Sequence, residues 1–175
     1  MPFPKTTNRL IIRSCGGATE EIIPILSWLN DPDVVRFSEQ RHVKHNIETQ
    51  LSYFQALRSG DKYLGVYLNT LEGLLIGTLT AHIDQNNSVA NVGIMMGEKR
   101  TWGNGYGLEA WTMVCNELFA EGIRKVEAGC MSINYRMMAI CQHYGMVEEG
   151  RQDSHYLVKD GTADLVHWGK FNEPS

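Results

Sequence analysis

Arg100-Thr101-Trp102-Gly103-Asn104-Gly105-Tyr106-Gly107 is the stretch of this chain whose reading decides the fold. It lies between strand-like residues and a strongly apolar helical pattern. Three glycines at alternate positions let a backbone come close to a ligand, and a helix start offers unpaired amide donors at the positive end of its dipole. Such a site binds phosphate, with Lys99 or Arg100 as nearby cationic helpers. The same glycines would also serve a tightly packed strand-to-helix turn, so both readings stand here. Two other phosphate loops are excluded. The spacing is Gly-x-Gly-x-Gly where a dinucleotide fold needs Gly-x-Gly-x-x-Gly, and no Gly-Lys-Ser/Thr follows the four-residue gap of a Walker loop.

Downstream of the loop the periodicity is helical from about Gly105 to Glu121, with Leu108, Trp111, Cys115, Leu118 and Phe119 on one face and Gly122 as the stop. A strand is expected over 125–132. Asn134 then caps a helix in which Met137, Ile140, Cys141 and Tyr144 fall at i, i+3, i+4 and i+7, closed by Gly145. Two final strands flank the turn Lys159-Asp160-Gly161. Upstream, residues 63–68, 74–83 and 88–96 are aliphatic and β-branched with short turn-like connections, which predicts an antiparallel meander. Before that come a strand at Leu10-Ile11-Ile12, stopped by Cys15-Gly16-Gly17, and two helices. Thr19 suits the first cap, although Pro24 should distort or delay that helix. Asn46 caps the second.

Composition narrows the setting. With 175 residues, 43% apolar and 21% charged, the chain reads as one domain, 1–175, able to bury a core without disulfides or metal. A formal net charge of −4 provides no electrostatic footprint for nucleic acid. Cys15, Cys115, Cys130 and Cys141 form no Cys-x-x-Cys and sit in apolar-periodic stretches, which reads as buried free thiols in a reducing compartment. No signal core or membrane span is present in the sequence, so a cytoplasmic location without membrane association is expected.

The pattern Arg/Gln-x-x-Gly-x-Gly/Ala, met by Arg100, Gly103 and Gly105, resembles the acetyl-CoA pyrophosphate loop of the GCN5-related N-acetyltransferases, the GNAT family. The longer run from Trp102 to Ala110 resembles the ribosomal-protein-acetylating, RimJ/RimL-type branch. Asn134, its apolar helix, Gly145-Met146 and Glu149-Gly150-Arg151 are similar to that family's later motif, and Leu29-Asn30-Asp31-Pro32 to its turn between the first two helices. The resemblance implies an α+β fold: a mostly antiparallel mixed sheet of about seven strands, a splayed central pair and about four helices. It also implies acetyl-CoA in the splay, held by Ile94, Met95 and Met96, by Arg100, Thr101, Trp102, Gly103, Asn104, Gly105, Tyr106 and Gly107, and by Asn134 and Met137. Asn134 is equally a helix cap.

The implied reaction is attack of a neutral amine on the thioester. It needs a deprotonated amine, donors for the oxyanion and a proton for the leaving thiolate. The backbone amide of Ile94 or Met95 is the expected oxyanion donor. Relatives often carry Tyr where this chain has Cys141, or Ser where it has Met137, so the acid is open between Cys141 and Tyr144, both also core-like. Base candidates are His82 and Glu98, and Glu39, Arg41 and His42 are placed at the acceptor. A lysine amine costs about 4.6 kcal/mol to deprotonate at pH 7, an α-amine only about 1 to 1.4. Without an evident base, the chain suits an amine of low pKa. Within the family, Arg36-Phe37-Ser38-Glu39-Gln40-Arg41 is similar to enzymes acetylating a nucleotide-linked amino sugar; a protein N-terminus, an aminoglycoside, or a non-catalytic acyl-CoA sensor are the alternatives. Monomer and homodimer are both open.

Overall fold

The computed structural model describes residues 3–15, 18–57 and 59–172. In chain order the elements are β1 (Lys5–Thr6), β2 (Leu10–Ser14), α1 (Thr19–Leu29), α2 (Ile47–Ala56), β3 (Lys62–Leu68), β4 (Leu75–Asp84), β5 (Val89–Met96), α3 (Tyr106–Ala120), β6 (Lys125–Met131), α4 (Tyr135–Tyr144), β7 (Val147–Val158) and β8 (Gly161–Phe171). Short 3-10 turns occupy Glu39–His42 and Lys99–Thr101. The Gly16-Gly17 stop expected after the first strand lies outside the described residues.

The strands form one sheet in the order β1-β2-β3-β4-β5-β6-β8-β7. Among the described residues eight strands replace the expected seven because Lys5 and Thr6 pair with Ile12 and Ile11. Only tertiary pairing can define so short a strand. Every neighbouring pair is antiparallel except β5 with β6.

Strand alternation assigns the faces. Leu10, Ile12, Leu64, Val66, Leu79, Ala81, Ala90, Val92, Val126 and Ala128 point one way, into a core with Trp111, Val114, Cys115 and Leu118 of α3 and Met137, Cys141 and Tyr144 of α4. The other face carries a smaller cluster, in which Ile25 and Trp28 of α1 cover Tyr67, Leu75 and Met95. The amphipathic stripes of α3 and α4 read from the sequence are the covered ones.

Caps follow the sequence with one exception. Asn46 and Thr49 form a reciprocal capping box, an arrangement worth about 1 kcal/mol. Asn134 caps α4 by accepting the Met137 N–H at 3.2 Å, and Gly145 ends it at φ 81°. The first helix departs from expectation. Ala18, not Thr19, is its N-cap, and Pro24 sits inside α1 rather than delaying it, on the second turn, where proline removes one i→i−4 bond.

Candidate active site

The splay of the sheet creates the site. Strands β5 and β6 pair only over Val89↔Lys125, Ala90↔Val126 and Asn91↔Glu127. Beyond Asn91, β5 continues to pair with β4 through Met96, while β6 continues with β8 through Met131. The β5 edge from 92 to 96 therefore faces a gap, with backbone groups that have lost their β6 partners. Extended backbone of this kind pairs with an extended amide-bearing ligand.

The glycine loop closes one end of that gap. Gly103 and Gly105 adopt φ 82° and 79°, a left-handed conformation that costs other residues roughly 1 to 2 kcal/mol. Gly105 is the N-cap of α3 and has no side chain to satisfy the first-turn amides, so those donors remain for an anion. Gly107 acts through packing instead, since a Cβ there would lie 3.3 Å from Ile140 Cδ1 and 3.5 Å from Met96 Cγ, and its absence lets α3 approach α4 and β5. The packing reading holds at Gly107, while Gly103 and Gly105 have the backbone conformation that the phosphate reading requires. Arg9 supports the loop from the start of the chain, donating from Nη1 to the Asn104 carbonyl at 3.0 Å and from Nε to Glu109 at 2.7 Å.

Around the loop the charges are arranged differently from the expectation. Lys99 pairs with Asp31 at 2.7 Å and Asp33 at 3.0 Å, and Arg100 pairs with Glu98 at 2.9 Å. Both expected cationic helpers thus meet carboxylates of their own. Glu98 also accepts the Arg100 backbone N–H, and this arginine holds its carboxyl below the usual range. Glu98 is therefore an ionised cap of the Lys99–Thr101 turn.

One cation near the loop has no carboxylate partner among the described residues. Arg136, on the first turn of α4, lies over the Trp102 ring at 4.8 Å, and the Trp102 indole N–H donates to the Met96 carbonyl at 2.7 Å. Loop, β5 end and α4 start are tied together by these two side chains. The sequence reading named Trp102 and Met96 but missed Arg136. Its position two residues after the Asn134 cap, opposite the glycine loop, was the available signal.

The remaining expected residues are dispersed. His82 Nδ1 lies 2.9 Å from Asp61 Oδ2, and the 2%-exposed Asp61 side chain also accepts the Ile83 N–H at 2.8 Å. This orients the imidazole, yet His82 pairs with Asn91, four residues along β4 from the Thr78↔Met95 pair. That is roughly 13 Å at strand rise, beyond one-water reach of Ile94 and Met95. Cys141 is fully buried, and burial pushes its thiol up to about 12. Tyr144 donates its hydroxyl to Asn116 Oδ1 at 2.8 Å, and burial raises its pKa. Neither brings an acidic proton to the gap. Glu39, Arg41 and His42 lie together in the turn between α1 and α2, a segment whose Val34 packs in the same cluster as Met95. The Met95 face of β5 also carries Asn91 and Gly93, so it has no titratable group.

No curated protein matches the chain in sequence. Solved structures match its fold. An acetyltransferase of the GNAT family from Bacillus anthracis superposes with a TM-score of 0.80 at 19% identity, covering 97% of this chain and 98% of that one. RimL, a ribosomal α-N-protein acetyltransferase in complex with coenzyme A, gives 0.83 at 14% identity, covering 96% and 97%. The microcin self-immunity acetyltransferase MccE, in complex with acetyl-CoA and AMP, gives 0.77 at 16%, covering 94% and 93%. The family model of the acetyltransferase (GNAT) domain matches residues 9–147, and with its splayed strands and uncapped glycine loop the chain belongs to that family of acetyl-CoA-dependent N-acetyltransferases.

Proposed function

We propose that the acceptor is a primary amine of low pKa on a small anionic molecule, a nucleotide-linked amino sugar, and that it attacks acetyl-CoA directly in a ternary complex. The observation that carries this reading is the charge of the segment between α1 and α2, which this reading sets at the acceptor. Between residues 36 and 45 it holds Arg36, Arg41 and Lys44 against Glu39 alone, in a chain of net charge −4. Arg36 and Lys44 are exposed and have no carboxylate partner among the described residues. A diphosphate matches that pattern; a polycationic amine does not.

Proton accounting agrees. The amine enters from the face of Asn91, Gly93 and Met95, where β5 itself carries no titratable group, and it reaches the site neutral. For an amine near pKa 8 this costs only about 1.4 kcal/mol at pH 7. After attack, the proton displaced from nitrogen equals the one required by the departing CoA thiolate, so the transfer needs no net proton. Loop amides and Arg136 take the phosphates of the cofactor, and the β5 edge takes its pantetheine amides. MccE binds AMP together with acetyl-CoA on this fold, which supports room for a nucleotide beside the cofactor.

Thiol release measured with a nucleoside-diphosphate-linked amino-deoxyhexose, an N-terminal peptide, an aminoglycoside and spermidine tests the proposal. The sugar nucleotide should give the highest kcat/KM, and its KM should rise with salt. His82→Asn should leave the rate within about twofold, with a pH profile set by the amine of the acceptor. A higher kcat/KM for the peptide or for spermidine would overturn the acceptor assignment.

A further inference from the structure

The sequence places Arg41 at the acceptor, but its guanidinium is engaged with the protein. Its Nη1 donates to the Ser38 carbonyl at 2.9 Å and pairs with Glu39 Oε1 at 2.7 Å, while its Nη2 donates to the Leu157 carbonyl at 3.2 Å. The side chain is only 17% exposed, in a turn whose other three residues, Glu39, Gln40 and His42, are exposed. Leu157 lies near the end of β7, 116 residues away in sequence and close to the hairpin tip.

The two elements joined would form the walls on either side of the acceptor face proposed above. One is the α1–α2 segment, whose later part is held by Asn30, which donates from Nδ2 to the His45 carbonyl and accepts the His45 N–H, each at 2.9 Å. The other is the end of the β7–β8 hairpin, whose pairs Tyr156↔Ala163, Leu157↔Thr162 and Val158↔Gly161 are separated from the rest of the ladder by a register break between Gln152 and Tyr156. Tyr156 stands beside the junction: burial raises its pKa, the Glu39 carboxylate adds to this and Arg41 opposes it.

We propose that Arg41 is a positioning residue, a latch that holds the hairpin end against the α1–α2 segment and so sets the width of the acceptor mouth. This rests on the acceptor side assigned above. Arginine suits this role because its planar fork projects donors in fixed, divergent directions, reaching a carbonyl on each wall at once. The single ammonium of a lysine is a point donor and cannot reproduce that span.

The test uses Arg41→Ala and Arg41→Lys in the full chain, with two readouts. Backbone hydrogen exchange of the 153–162 segment should accelerate at least tenfold in both variants, with exchange of α3 unchanged. With the amine of highest turnover in the panel above, the acceptor KM should rise about fivefold or more, while kcat and the KM for acetyl-CoA stay within twofold. Hairpin exchange at the wild-type rate would overturn the latch, even if the acceptor KM rose, since that result would mark direct substrate contact. Faster exchange with an unchanged acceptor KM would overturn the positioning role, and parallel losses in kcat and both KM values would reduce Arg41 to general structural support. The exchange readout needs no substrate, so an error in the acceptor class would leave it intact and show instead in the panel.

Discussion

Replacing Arg136 by glutamine isolates the electrostatic part of cofactor binding. The other cations near the glycine loop meet carboxylates: Arg9 meets Glu109, Lys99 meets Asp31 and Asp33, and Arg100 meets Glu98. Arg136 alone has its charge free there among the described residues, and it is held over Trp102 rather than waving in solvent. Two unit charges about 4 Å apart in a water-like dielectric attract by about 1 kcal/mol, and a phosphate monoester carries up to two charges. The exposure of Arg136 argues against using a low-dielectric value, so the expected loss is about 1 to 2 kcal/mol, roughly a 5- to 30-fold rise in the Kd for CoA. Calorimetry with CoA, at low salt and again at about 0.5 M, should show that gap narrowing as the charges are screened. Repeating it with dephospho-CoA assigns the contact: a deficit that vanishes places Arg136 at the 3′-phosphate, and one that persists places it at the pyrophosphate. Wild-type affinity for Arg136→Gln at low salt, or a deficit indifferent to salt, would refute the reasoning.

Two further outcomes are expected. A Cβ at Gly97 would overlap the Trp28 indole, which anchors α1 to the sheet, so Gly97→Ala should cost about 1 to 3 kcal/mol and lower the Tm by roughly 2 to 12 °C; an unchanged thermal melt would mean that α1 is not seated as described. Burial raises the pKa of all four thiols, Cys15 to about 11 and Cys141 to about 12, so at pH 8 the protonated thiol dominates. Cys115, Cys130 and Cys141, the three buried thiols, should react slowly with a thiol reagent in the native protein at that pH and fully after denaturation, while the half-buried Cys15 reacts sooner. Because the fold favours the protonated thiols, it binds more protons than the unfolded chain above about pH 8.5, and stability should decline as pH rises through that window. Rapid labelling of Cys141 itself in the native protein would contradict its packing.

Much of this was readable along the chain because the forces involved act within a few residues. The Asn46 and Asn134 caps, the Gly122 and Gly145 stops, the turn at Lys159-Asp160-Gly161 and the helical stripe through Trp111 and Cys115 are local signals, and each corresponds to an observed element or cap. So is the loop itself, where positive φ at Gly103 and Gly105 is a property of two residues and their neighbours. What the chain could not reveal are meetings between residues far apart in it. Lys5 and Thr6 become a strand only by lying beside Ile12 and Ile11. Lys99, an apparent phosphate ligand, is claimed by two aspartates 68 and 66 positions earlier in the chain. The hydroxyl of Tyr144 is taken by Asn116 across the α3–α4 contact, and Arg41 turns from an expected substrate ligand into a bond to Leu157. A sequence thus determines caps, turns and which helix faces are apolar, because these depend on neighbours within about four residues. Which carboxylate neutralises which cation, and hence which charge is left for a ligand, depends on where strands and helices cross, and only the tertiary structure decides that.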